Sequence, residues 1–203
     1  MDIERSMMFR TILLFSVALF AIPAVQAKKH IWPFACVVHS ADLIVVGSIV
    51  SVSRKDVTVQ VEDRVYGTCK EQITVAKWKE WTCDQRSAPY QVGQRLLLLL
   101  EKGVEEYITI NASTGELLVK NDSVTVYRED RRFQLEQFVE TLADVRSCFT
   151  VVAPYGPAFS AKPSNMVLRR NCPAQGTHDP GPVIPARRWL YFETYKYLPE
   201  KGR

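Results

Sequence analysis

The sequence has few of the features that identify an enzyme. It contains only three histidines in 203 residues. It has no nucleophile elbow, phosphate-binding loop, dinucleotide fingerprint or paired histidines on a helix. The three residue types of a catalytic triad occur at His39, Ser40 and Asp42. These residues lie too close along the chain to form the line of hydrogen bonds that a triad requires. We therefore predict a non-catalytic protein that carries no cofactor.

The sequence also lacks an apolar run long enough to span a membrane. The most apolar segment, residues 11–24, is shorter than the roughly 20 residues of a membrane-spanning helix but has the length of a signal-peptide core. The segment that ends at Ala27 carries compact residues where signal peptidase cleaves. We predict a signal peptide over residues 1–27 and a secreted or periplasmic mature chain, with an uncleaved anchor as the alternative.

Cysteine is scarce but informative, because all five cysteines follow the predicted leader. They are Cys36, Cys69, Cys83, Cys148 and Cys172. Outside the cytoplasm disulfides form and persist, so two bridges and one odd cysteine are expected, and spacing alone leaves the pairing open.

Cys36 and His39 form half of a zinc-site pattern. Since no second pair stands at matching spacing, we predict no metal site.

The charge is small overall and unevenly distributed. The formal net charge is +4, with −1 over residues 28–149 and +5 over residues 150–203. A nearly neutral exported domain argues against nucleic-acid binding.

Eight of the eleven prolines lie in residues 154–199. Because proline interrupts helices and sheet ladders, residues 151–185 are predicted to form an extended arm, wrapped on the domain or partly loose. The basic, aromatic residues 187–197 are predicted to form a short helix or strand.

Residues 42–128 have the pattern of successive strands. Gly47 inside the first strand is typical of a bulge or of the sharp coiling of a small barrel. Residues 96–100 are consecutive leucines, as in a strand buried on both faces. The predicted strands are 42–50, 57–66, 72–78, 95–100, 106–110, 117–120 and 123–127, with turn signals at residues 113–115 and 121–122. With no long helix between them, these strands favour an antiparallel barrel or sandwich.

One amphipathic helix is predicted over residues 130–147. Its apolar stripe is Leu135, Phe138, Val139 and Leu142, at helical spacing. Asp130 is its expected N-cap. The stripe is expected to cover the barrel, which gives a domain over residues 28–149 followed by a basic, proline-rich segment over residues 150–203.

Three segments carry a family resemblance. Residues 36–50 (CVVHSADLIVVGSIV) resemble the opening turn and first strand of the tissue inhibitors of metalloproteinases and netrin-like domains. Residues 57–67 resemble the second strand of that family, and Cys83 followed by YQVGQR at residues 90–95 resembles a later strand. The resemblance implies a closed five- to six-strand barrel of the oligonucleotide/oligosaccharide-binding (OB) type with a packed helix. It agrees with the strand pattern.

The resemblance also implies disulfides and a function. By analogy Cys36 pairs with Cys83, Cys148 pairs with Cys172, and Cys69 is the free thiol. The leading expectation is an exported, non-catalytic domain that binds an extracytoplasmic protein. Metalloproteinase inhibition through the edge at residues 28–40 is the alternative. The inhibitors of the family begin with cysteine, whereas the predicted mature chain begins at Lys28.

Two groups of side chains are candidates for partner binding. Lys77, Trp78 and Trp81 alternate cations and aromatics, which suits stacking on a barrel surface. In the tail, Arg187, Arg188 and Trp189 suit an anionic membrane or envelope surface, a third candidate function. Asn111 and Asn121 begin glycosylation triplets, which matter only in a host that glycosylates secreted proteins.

Overall fold

A computed structural model describes residues 31–81, 84–86, 88–126, 131–153, 166–171 and 185–196. The predicted signal peptide lies outside them. The elements are α1 (Phe34–Ser40), β1 (Leu43–Val52), β2 (Asp56–Tyr66), β3 (Gln72–Ala76), β4 (Arg95–Lys102), β5 (Tyr107–Thr109), β6 (Glu116–Lys120), β7 (Ser123–Val126), β8 (Arg131–Gln134), α2 (Leu135–Cys148), β9 (Phe149–Ala153), β10 (Val167–Arg170) and α3 (Pro185–Tyr195). Within these ranges no helix has both the length and the apolar character needed to cross a membrane.

Five strands close the predicted barrel. They pair in the order β1–β2–β3–β5–β4, and β4 returns to β1. The mainly β, OB-like closed barrel with a packed helix is confirmed. The barrel is mixed rather than wholly antiparallel, because β3 and β5 form a parallel bridge at Val75 and Tyr107. A ring with an odd number of strands requires at least one parallel pair, since strand direction cannot alternate all the way round.

Two hydrophobic cores share strand β4. Leu96, Leu98 and Leu100 point into the barrel, whereas Leu97 and Leu99 point outward into a second core beneath the helices, which we call the outer core. All five leucines of this strand are fully buried. The predicted burial on both faces is therefore confirmed, and it follows from the period-two alternation of a strand between two apolar layers.

Gly47 lies at a break in the β1–β2 register, as the sequence predicted. The register shifts between Val46 and Gly47. A Cβ at this position would overlap the backbone oxygen of Gln60. Glycine is required because strand β2 crosses too closely for any side chain.

Gly67 provides a test of the turn that follows β2. Gly67 and Gly93 have nearly the same positive φ, 83° and 84°. A Cβ at Gly67 would overlap the backbone oxygen of Asp42, while a Cβ at Gly93 would meet nothing within 4 Å. We expect Gly93→Ala to lower the free energy of unfolding by about 1–2 kcal/mol and Gly67→Ala to lower it by clearly more. Urea denaturation of both variants checks this, and equal losses would contradict it.

Helix α2 begins later than predicted. It runs over Leu135–Cys148 with Gln134 as its N-cap, because Arg131–Gln134 forms strand β8 instead. Asp130, the predicted N-cap, lies outside the described residues. The predicted stripe does face the core: Leu135, Phe138 and Leu142 are buried, and Val139 packs against the same cluster.

The described parts of the segment after residue 150 join the outer core. Strands β9 and β10 pair with each other, and Leu168 of β10 is fully buried. Residues 187–197 were predicted to be a helix or a strand, and the helix is found as α3. Trp189 of α3 lies within 5.7 Å, ring centroid to centroid, of Phe34 and within 5.4 Å of Phe133. The rest of the predicted arm lies outside the described residues.

Candidate functional site

The candidate site is the polar face of the small sheet β6–β7–β8. Asn121 and Asp122 join β6 to β7 with φ values of 48° and 49°, which is the geometry of a tight type I′ hairpin. Alternate residues then face opposite sides. The side beneath the helices carries Leu117, Val119, Val124, Val126 and Phe133. The opposite side carries Glu116, Leu118, Lys120, Ser123, Thr125 and Arg132.

A groove of about 670 Å³ lies over this second side. The connection between β3 and β4 forms the other wall, and its lining residues are Trp78, Gln85 and Arg86. The volume lies within the range of ligand-binding clefts. We call this cavity the hairpin groove.

Glu116 holds the two walls of the hairpin groove together. Its Oε1 accepts a hydrogen bond from Arg86 Nε at 2.6 Å, and the two side chains are 6% and 4% exposed. Its Oε2 accepts bonds from Trp78 Nε1 at 3.2 Å and from Tyr90 Oη at 2.8 Å. A buried carboxylate with three donors is well satisfied, so this wall is rigid.

Arg86 is fixed by more than its ion pair. Its guanidinium carbon lies 3.2 Å from the centre of the Tyr90 ring, and it donates hydrogen bonds to the Ala88 carbonyl oxygen and to Gln94 Oε1. Burial, assisted by the Glu116 charge, raises the pKa of Tyr90 above its usual range. The phenol therefore stays protonated and remains a donor to Glu116.

The open rim of the hairpin groove is cationic. Lys120 and Arg132 line it and are exposed. Glu116 is the one carboxylate among the described lining residues, and its charge is matched by Arg86. Among the described lining residues, therefore, no carboxylate other than the paired Glu116 faces these two positive charges.

The three barrel residues singled out from the sequence have different positions in the structure. Trp78 lines the hairpin groove and donates to Glu116. Lys77 turns away, since its Nζ bonds to the Ser53 carbonyl oxygen and lies 5.5 Å from the centre of the Tyr90 ring. Trp81 is 55% exposed, and its backbone pairs with that of Asp84. Only Trp78 contributes directly to the groove.

The tail residues singled out from the sequence lie on helix α3. Trp189 is 5% exposed and packs in the aromatic cluster of the outer core. Arg187 forms an ion pair with Asp144 at 2.6 Å. Arg188 is exposed. An indole buried in this way is not available to the membrane or envelope surface that the sequence suggested for it.

The described cysteines do not test the predicted pairing. Cys36, Cys69 and Cys148 include no two at disulfide distance. The predicted partners Cys83 and Cys172 lie outside the described residues, so the bridges remain predictions. Cys36 and Cys148 are buried, and Cys148 Sγ accepts a hydrogen bond from Tyr191 Oη at 3.4 Å.

The described residues contain no cluster of three or more His, Cys, Asp or Glu side chains placed to hold a metal ion. His39, beside Cys36 in α1, is buried instead against Phe149, with ring centroids 5.9 Å apart. Its Nε2 lies 3.5 Å from Thr194 Oγ1. These contacts tie α1 to α3 and give His39 a packing role.

The two glycosylation triplets differ in their surroundings. Asn111 Oδ1 accepts hydrogen bonds from the Trp32 backbone and from Thr114 Oγ1, so its side chain is part of the fold. Asn121 is exposed at the hairpin turn and lines the groove. Of the two, Asn121 is the more accessible.

Comparisons with protein-family models, with curated proteins and with solved structures found no match. The resemblance to the metalloproteinase inhibitors and netrin-like domains therefore stays a prediction.

Apart from Trp78 and Asn121, the residues that build the groove do not stand out in the sequence. Arg86 and Glu116 are 30 positions apart, and no local pattern connects them. Lys120 ends a predicted strand and Arg132 falls within the helix predicted over residues 130–147, and in the sequence both resemble ordinary solvated residues. The available signal was the turn at residues 121–122, which fixes the hairpin register and hence the face that each residue occupies.

Proposed function

We propose that this chain is an exported, non-catalytic binding domain that engages an extracytoplasmic protein through the hairpin groove. The observation that carries the proposal is the combination of a rigid wall and an open cationic rim. The wall is pre-organised by the buried Arg86–Glu116 pair, and pre-organisation lowers the entropy lost on binding. The rim offers Lys120 and Arg132 to a partner.

The inhibitor alternative has less support. It would require the edge at residues 28–40 to enter the active-site cleft of a protease. Trp32 and Phe34 are 8% and 3% exposed, and the helix that follows them is buried through His39. Cys36 is fully buried within this helix. The described part of this edge, residues 31–40, is already packed into the fold and has little surface left to insert elsewhere.

The membrane or envelope alternative is also weaker. Trp189 is in the core and Arg187 is paired with Asp144. Arg188, Phe192 and Lys196 remain on the outer face of α3, with Lys196 also bonded to Glu193. One exposed phenylalanine flanked by two cations gives a small contact with a lipid surface.

A single bulky substitution tests the proposed site. Thr125 is exposed in the middle of β7, lies beside its cross-strand neighbour Arg132 and lines the hairpin groove, so Thr125→Trp fills the groove without entering the core. We expect this variant to capture its partner from the extracellular fraction about tenfold less well than the wild type. The measurement is a pull-down with quantified capture.

The matched control is Thr74→Trp. Thr74 is an exposed threonine in β3 of the same barrel, outside the groove. It should capture the partner as the wild type does. Undiminished capture by Thr125→Trp, or equal loss by both variants, would refute the groove as the site.

A further inference from the structure

Strand β8 is an open edge of the sheet. In the order of the described strands it is terminal, with β7 as its one neighbour. The far side of an edge strand presents backbone N–H and C=O groups that another strand can pair with. Among the described residues, no strand pairs with this far side of β8.

This edge is held firmly in place. Phe133 stacks on Phe138 with ring centroids 5.1 Å apart, and it also contacts Trp189. The alternation of the strand sends Phe133 into the outer core and Arg132 to the groove face. Because the strand is anchored by a buried aromatic ring, little ordering is needed when another strand pairs with it.

There is space beside the edge. A second cavity of about 520 Å³ is lined by Arg132, Phe133 and Gln134 of β8 together with Gln137 and Ala186. Arg132 lines both this cavity and the hairpin groove. A strand added to β8 would therefore place its side chains beside the same guanidinium that borders the groove.

Charge selects the kind of strand. Arg132 is exposed on β8, and Lys120 is exposed on the same groove face of the sheet. Two like-charged edges repel, so these cations disfavour pairing of β8 with a second copy of itself. They favour a strand that carries carboxylates on the face turned toward Arg132 and Lys120.

We propose that an acidic, extended segment of the partner adds as an antiparallel or parallel strand to the edge of β8, beside the second cavity, and directs its carboxylates toward Arg132 and Lys120 at the rim of the hairpin groove. This inference rests on the proposed function and specifies the chemistry of its ligand. Backbone hydrogen bonds to β8 supply affinity, and alternate acidic side chains supply specificity.

The first test uses fluorescence anisotropy with a labelled peptide of alternating glutamate and threonine. The full-length protein should bind it, should bind a lysine–threonine peptide of equal length far more weakly, and should lose affinity as salt is added. The double variant Lys120→Gln, Arg132→Gln should bind roughly tenfold more weakly. The control Arg54→Gln, Arg64→Gln removes two exposed cations outside the groove and should bind as the wild type does.

The second test separates strand addition from charge attraction. In a strand, the amides of alternate residues point to opposite edges. Two versions of the acidic peptide, N-methylated at every glutamate or at every threonine, therefore each block one edge. We expect one version to lose binding and the other to keep it. The same outcome for both versions would overturn the proposal.

Other outcomes identify a different ligand or a different failure. Binding of a heparin oligosaccharide through Lys120 and Arg132 without binding of the acidic peptide would overturn the proposal in favour of a glycan. If Thr125→Trp abolishes partner capture but the peptide does not bind, this inference fails and the proposed function stands. If Thr125→Trp captures as much partner as the wild type does, the proposed function itself fails.

Discussion

Glu116→Ala is expected to lower the free energy of unfolding by about 3–5 kcal/mol, because it leaves the buried Arg86 guanidinium without its counter-charge. The substitution also removes the acceptor for Trp78 Nε1 and Tyr90 Oη. Unpaired buried donors lose their hydration without compensation. Urea denaturation followed by circular dichroism measures the loss.

Two comparisons isolate the role of burial. Glu62→Gln breaks an ion pair with Arg95 whose side chains are 34% and 38% exposed, and it should lower the free energy of unfolding by less than about 1 kcal/mol. The double variant Arg86→Met, Glu116→Leu removes both buried charges and should recover much of the lost stability. A loss at Glu116→Ala no larger than that at Glu62→Gln would show that the wall of the groove is not held by this pair.

Acid is expected to destabilise the protein through His39. Burial, assisted by the Arg146 guanidinium, lowers the pKa of His39 from 6.5 to about 3. The folded state therefore holds a neutral imidazole that the unfolded state protonates below pH 6.5. The stability that depends on neutral His39 is fully present above pH 6.5 and is lost as the pH falls toward 3. Between pH 7 and pH 5 the free energy of unfolding should drop by about 2 kcal/mol.

The control for this prediction removes the titrating group. Whatever the stability of His39→Gln at pH 7, its free energy of unfolding should change much less than that of the wild type between pH 7 and pH 5. Hydrogen exchange should locate the acid effect at the contact of α1 with α3, where His39 lies near Thr194. A pH dependence of equal size in wild type and variant would assign the effect to other groups.

The fold followed from local patterns in the chain. Consecutive leucines at residues 96–100 indicated a strand between two apolar layers, and the turn at residues 121–122 indicated the β6–β7 hairpin. Gly47 marked the irregularity in β1. These signals act over a few residues, so they can be seen without knowing the tertiary structure.

The site did not follow in the same way. The pairing of Arg86 with Glu116 depends on how the β3–β4 connection folds over the barrel, and no local periodicity encodes it. The neighbouring arginines predict a surface position for Trp189, but its helix turns that ring toward Phe34 and Phe133. The residues before Leu135 have helix-compatible composition, yet Arg131–Gln134 extends as β8 because β7 offers its backbone groups for pairing.

Hydrogen–deuterium exchange of the protein with and without its captured partner tests the central claim most directly. If the hairpin groove is the binding site, the partner should slow exchange in Arg131–Gln134 and in Glu116–Lys120. Exchange at Phe34–Ser40 should stay unchanged. Protection confined to Phe34–Ser40, or to the outer face of Pro185–Tyr195, would contradict the account and place the partner on another surface.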